Sequence, residues 1–93
     1  RPMSYAHDSG TAGGTPVDVT VPAGTWVYSW GAVAASSGTA IIAPDGVTAQ
    51  PTIPVGPAGI GFTWPDPPAS RPPRLGPGAK LTFTDCAYLV VYA

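Results

Sequence analysis

The chain has 93 residues, which is enough for one small domain, and 44% of them are hydrophobic, which is ample for a core. Only 10% are charged, and 4 basic against 5 acidic residues leave a net charge of −1. This balance excludes the strong positive charge that nucleic-acid binding usually needs, and no apolar run is long enough to span a bilayer.

The first segment of the chain, residues 1–14, is polar and rich in glycine and shows no hydrophobic period. We interpret it as a flexible N-terminal arm that is free in the isolated chain and able to order against a neighbour. The alternation of apolar and polar residues begins at Thr15. Residues 15–93 are therefore predicted to form a single folded domain.

The next two segments predict short strands separated by a turn at PAG. PVDVTV alternates valines with Asp18 and Thr20, as a half-buried strand does. GTWVYSWG then places an aromatic residue at every second position, so that one extended strand would carry a single aromatic stripe of Trp26, Tyr28 and Trp30. Such a stripe would pack in the core, contact another subunit or serve as a platform for sugar rings. We favour core packing, because a strand of a small sandwich needs one apolar face.

Six further short strands are predicted in TAIIA, VTAQ, TIPV, GIGFTW, AKLTFTD and CAYLVVYA. PDG at residues 44–46 is a turn signal. The stretch PDPPASRPPRLGPG holds six prolines in fourteen residues. Because proline donates no hydrogen bond to a sheet, we predict a stiff, exposed loop from Pro65 to Pro73.

The last predicted strand is apolar on both faces, with tyrosines and Val90 on one side and Ala87, Leu89 and Val91 on the other. A strand of this kind is either central or covered on its outer face by another subunit. The arginines of the proline-rich loop would suit a partner's carboxylates, or would simply keep an exposed loop soluble. The predicted interface residues are Tyr88, Val90, Tyr92, Trp64, Arg71 and Arg74.

Residues that carry chemistry are few. His7 lies in the predicted arm beside Asp8, and Cys86 opens an apolar strand, where it is predicted to be a small buried side chain. The five aspartates are scattered, and their spacing forms no acid–base pair, metal cluster or phosphate-binding loop. We therefore predict no enzyme activity, no cofactor, and no catalytic or metal-binding residue.

About eight short strands with turn signals between them predict an all-β fold, a small antiparallel β-sandwich or jelly-roll-like barrel. The segment order VTVPAGTW, GTAIIAPDG, PVGPAGIGFTW, LGPGAKLTF and AYLVVYA resembles that of the small β-sandwich virion proteins of tailed bacteriophages. The resemblance covers residues 15–93 and rests on element order and turn type, and it transfers no functional residues.

The resemblance implies a structural virion protein, a capsid decoration (cement) or head-fibre subunit. Such a protein is made in the bacterial host cytoplasm and is located on the capsid surface. It forms a homo-oligomer, commonly a trimer, and binds the major capsid protein or other virion proteins. Two alternatives remain open: a tail or baseplate component, and a carbohydrate-binding module that uses Trp26, Tyr28, Trp30 and Trp64.

Overall fold

A computed structural model describes residues 5–34, 36–56, 61–64 and 75–93. This part of the chain contains eight strands. They are β1 (Ala6–Thr11), β2 (Val17–Thr20), β3 (Val27–Val33), β4 (Gly38–Ala43), β5 (Ile53–Val55), β6 (Gly61–Trp64), β7 (Lys80–Thr84) and β8 (Ala87–Tyr92).

The strands form two four-stranded sheets in which all named pairs are antiparallel. The first sheet has the order β1-β8-β3-β6, and the second has the order β2-β7-β4-β5. The chain changes sheet at every connection except the one between β4 and β5. This is the strand order of a jelly roll, so the predicted fold class, a small antiparallel β-sandwich, is confirmed.

The core lies between the inner faces of the two sheets. Phe83 is fully buried at its centre, and its ring stacks on that of Tyr88 with 4.6 Å between centroids. Trp30, 3% exposed, also contacts Phe83, with 5.8 Å between the ring centroids. Phe83 belongs to the second sheet and both partners to the first, so these ring contacts join the two layers.

The two predicted turns are confirmed. At PAG, the Thr25 N–H donates to the Pro22 carbonyl over 3.0 Å, and Gly24 has a φ of 82°. At PDG, the Gly46 N–H donates to the Ala43 carbonyl over 2.9 Å, and Gly46 has a φ of 80°. Both turns need a left-handed residue, which glycine supplies without a steric penalty.

Two strand predictions differ from the structure. Residues 6–11, which we predicted to lie in a flexible arm, form β1 and pair with β8 along their whole length. VTAQ, which we predicted as a strand, instead forms bends and irregular backbone between β4 and β5. The Asp45 carboxylate accepts the N–H groups of Val47 and Thr48, and these bonds hold VTAQ to the preceding turn. The predicted proline-rich loop lies outside the described residues.

Candidate functional site

The outer face of the first sheet carries mainly small and apolar residues. Directly paired residues of antiparallel strands share a face, so the register sets Val33 beside Ala87 and Gly31 beside Leu89. Val33 is 49% exposed and Leu89 46% exposed. We call this surface the apolar face and define it by Gly31, Val33, Gly61, Ala87, Leu89 and Val91.

The apolar face carries no formal charge. The remaining outward positions of the same sheet, set by the register, are hydroxyl residues together with the imidazole of His7. No aspartate, glutamate, lysine or arginine stands at an outward position of the strands described in this sheet. This surface would therefore not attract a partner by charge, and the affinity of a complex would come from apolar contact.

A shallow depression of about 280 Å³ lies on the apolar face, with Val33, Ala87 and Leu89 among its lining residues. Gly31 and Gly61 also line it, and a glycine leaves backbone in place of a side chain. A Cβ at Gly61 would come within 3.0 Å of Val33 Cγ2, so the valine leans over this position. The depression offers few polar groups and suits an apolar side chain of a partner.

A second depression, of about 510 Å³, lies at the end of the same sheet and is lined in part by Thr11, Ser36, Asp85 and Cys86. Cys86 is buried, and its Sγ lies 3.8 Å from the Thr39 carbonyl oxygen as a weak donor. Burial is the main cause that raises the pKa of the Cys86 thiol, which keeps it protonated at neutral pH. The prediction of a small buried cysteine is confirmed.

The predicted aromatic stripe does not form. The register of β3 against β8 shifts between Val27 and Ser29, as at a β-bulge. Val27, predicted on the opposite face, is fully buried together with Trp30. Tyr28 is only half-buried, and its ring meets the ring of Tyr5 edge-on, with centroids 5.3 Å apart and planes at 89°. The favoured prediction of core packing is therefore confirmed for Trp30, and Tyr28 does not share its role.

The structure also decides which side of β8 a partner can reach. Val90 is fully buried, and Tyr88 and Tyr92 pack against the same core. The subunit contact itself stays a prediction, but the residues of β8 available for it are Ala87, Leu89 and Val91. The side chain of Trp64 and the residues Arg71 and Arg74 lie outside the described part of the chain.

Candidates for chemistry stay apart in the structure. Among the described residues, no group of three or more histidines, cysteines, aspartates and glutamates is placed to hold a metal ion. His7 and Asp8 are exposed neighbours on β1, and the Asp18 carboxylate accepts a hydrogen bond from the Thr82 hydroxyl over 2.7 Å. In the described ranges, no helix is long and apolar enough to cross a membrane.

The fold and this surface define the class of the protein: a small jelly-roll sandwich with one uncharged, apolar outer face. Comparisons of the chain with protein-family models, with curated proteins and with solved structures found no match. The function is therefore argued from the surface chemistry and from the sequence resemblance given above.

Proposed function

We propose that the chain is a structural virion protein of a tailed bacteriophage, a capsid decoration or head-fibre subunit that attaches through the apolar face. The observation that carries the proposal is the exposure of Val33 and Leu89 on a sheet face without charged side chains. Exposed apolar surface of this kind marks contact sites in proteins of low net charge. The resemblance in segment order supplies the kind of partner, a capsid lattice.

The size of the face fits attachment by several copies. The outer side of the first sheet, four strands about 4.8 Å apart and about six residues long at about 3.3 Å per residue, covers roughly 400 Å², and the apolar face is part of this area. A standard protein interface buries about 800 Å² on each partner. One copy therefore binds weakly, whereas a homo-oligomer that places several faces on a lattice gains strength from effective concentration. The oligomer that the resemblance favours is a trimer.

The mechanism needs no reaction. A protein that binds the assembled shell and not its separate subunits stabilises the shell by RT ln(1 + [L]/Kd). The protein is made in the host cytoplasm and remains on the capsid surface in this proposal, with no cofactor. In this proposal the protein stabilises the shell by burying apolar surface between itself and the neighbouring capsid subunits.

The test is co-sedimentation of the purified protein with capsid shells of the phage that encodes it, prepared without this protein. We expect the native chain to sediment with the shells and to raise their disruption temperature. Leu89→Lys places a charge on the apolar face and should weaken binding at least tenfold. Thr84→Lys adds the same charge to the outer side of β7 in the second sheet and should leave binding unchanged.

Two results would overturn the proposal. A native chain that stays in the supernatant at every concentration has no affinity for the shell. Equal loss of binding in both lysine variants would show that the apolar face is not the contact. Binding to purified tails in place of capsids would favour the tail or baseplate alternative. Trp30 lies in the core, so the carbohydrate-binding alternative would have to use Trp26, Tyr28 and Trp64 without it.

A further inference from the structure

The strand β1 forms the outer edge of the first sheet. It pairs with β8 over six consecutive residues without a register shift. All six of its residues, Ala6–Thr11, are exposed. Among the strands that the structure describes, only β8 pairs with β1, so the other side of β1 presents a row of backbone donors and acceptors.

The orientation of these backbone groups follows from a hydrogen bond one residue beyond β1, which continues the pairing with β8. The Ala12 N–H donates to the Cys86 carbonyl over 2.8 Å. Backbone groups of an antiparallel strand point to alternate sides, so Gly10 and Asp8 share the orientation of Ala12 toward β8. The N–H and C=O groups of His7, Ser9 and Thr11 therefore point away from the sheet.

β1 has one charged residue, Asp8, but it lacks the other features that usually protect an edge strand, namely proline, lysine, a bulge or short length. Both edges of the second sheet have such features. β5 is three residues long and contains Pro54, and β2 is four residues long between Pro16 and Pro22. β1 is six residues long and has none of them. It is the long, regular edge at which another strand can be added.

We propose that β1 pairs in antiparallel fashion with β1 of a second copy of this chain, about a two-fold axis perpendicular to the sheet. An antiparallel strand edge is complementary to itself under such an axis, because each outward-facing residue exchanges the same N–H and C=O contacts with its counterpart. The contact needs no charged partner, and Asp8 is the only aspartate, glutamate, lysine or arginine within β1. The result is one continuous eight-stranded sheet across two chains.

The side chains of His7 and Asp8 determine the register of this pairing. The two outer faces continue across the junction only if paired residue numbers are both odd or both even. An axis through Asp8 would set two carboxylates directly opposite each other, and an axis through His7 would oppose two imidazoles. An axis through Ser9 avoids both of these like pairs, because it sets His7 opposite Thr11 of the other copy. The backbone groups of His7, Ser9 and Thr11 all point outward and can form the hydrogen bonds.

This pairing also places two apolar faces on one surface. Under a perpendicular two-fold axis, the apolar faces of both copies lie on the same side of the joined sheet, with the two β1 strands between them. The whole outer surface of the joined sheet covers roughly 800 Å², which reaches the area that one partner buries in a standard interface. The contact uses a surface other than the apolar face, so it stands independently of the proposed function. A trimer expected from the resemblance would form through other surfaces and give six copies in all.

The test is the mass of the purified chain by light scattering, with Ser9→Lys and a matched control, Gln50→Lys, in the exposed loop between β4 and β5. We expect the native chain and the control to form dimers or an even multiple of the 9.4 kDa chain. Ser9→Lys opposes two ammonium groups at the axis and should raise the dissociation constant at least tenfold.

Amide hydrogen exchange supplies the second measurement. The Ser9 amide should be protected in the native dimer and exchange quickly after dilution or in Ser9→Lys. The Gly10 amide faces β8 and should stay protected throughout, which also shows that the variant is folded. A native monomer or plain trimer at millimolar concentration, or an unprotected Ser9 amide, would overturn the inference. Shell binding by such a monomer would leave the proposed function standing.

Discussion

The two outer faces of the sandwich are built from the same antiparallel alternation, but they carry different chemistry. The second sheet presents threonines, Asp18 and Lys80 around a half-buried Ile41, and Thr82 donates a hydrogen bond to Asp18. The first sheet presents the apolar face, with Leu89 and Val33 near half exposure. Polar side chains keep the second sheet hydrated, whereas the first sheet leaves apolar area in water. The difference identifies the side on which this protein gains most by contact.

The largest expected effect comes from the core that both faces share. Phe83→Ala removes the ring that joins Tyr88 and Trp30 across the two layers. Loss of a fully buried phenylalanine costs about 3–5 kcal/mol in the free energy of unfolding. Urea denaturation followed by circular dichroism would measure the loss. Phe83→Leu should recover part of the stability, and a cost below about 1 kcal/mol for Phe83→Ala would contradict the assignment of Phe83 to the core.

A second pair of variants compares the inner and outer sides of the first sheet with the same chemical change. Val90→Thr puts a hydroxyl into the fully buried position and should cost about 1–3 kcal/mol. Val33→Thr makes the change on the apolar face and should alter the free energy of unfolding by less than about 0.5 kcal/mol. Thermal unfolding of both variants would measure the two changes in the free energy of unfolding. Similar losses at the two sites would contradict the described orientation of the sheet.

A smaller effect concerns the hydrogen bond on the second sheet. A double-mutant cycle with Asp18→Ala and Thr82→Val should give a coupling energy of about 0.5–1 kcal/mol, because the pair is exposed and screened by water. Urea denaturation of the four proteins provides the energies. A coupling energy of zero would show that this bond does not stabilise the outer side of the second sheet.

The smallest expected effect is a pH response at the connection between β4 and β5. The N–H of Thr48, and then that of Val47, lower the pKa of the Asp45 carboxyl, since both donate to Oδ1. A carboxyl with a lowered pKa in the folded state contributes stability above its ordinary pKa, and this contribution is lost as the pH falls through the folded value. Amide shifts of Val47 and Thr48 should follow this titration in an NMR experiment.

The control for this titration is Asp45→Asn, which keeps an acceptor oxygen but cannot titrate. Its amide shifts at Val47 and Thr48 should stay flat over the same range of pH. Asp45 lies in a connection of the second sheet, so the amides of the apolar face should respond to pH in the same way in both proteins. A difference between the two proteins at these amides would mean that the two faces are coupled.

Much of the fold was predictable because most strands alternate apolar and polar residues. β2 and β7 show this pattern, and the turns at PAG and PDG carry glycines at left-handed positions. β1 gave no such signal, because all six of its residues are exposed and the strand is held by backbone bonds to β8. VTAQ has strand-like composition, but the bonds from Asp45 turn it into an irregular connection.

The candidate surface was only partly predictable. The apolar character of both sides of AYLVVYA indicated that its outer side could be covered by another subunit. Which three residues face outward depends on the pairing with β3 and on the position of the second sheet. The aromatic stripe was wrong for a related reason: a single shift of register between Val27 and Ser29 changes which side chains point inward, and nothing in GTWVYSWG indicates it.

The sequence by itself determined the all-β class, the turns and the shortage of charge, because alternation and turn chemistry act over a few residues. Only the tertiary structure decided that residues 6–11 are an edge strand, that Val27 is core and that Leu89 faces outward. These properties depend on pairing between strands far apart in the chain, such as β1 with β8. Such pairing lowers the exposed apolar area of the whole chain, and it cannot be predicted from a local sequence pattern.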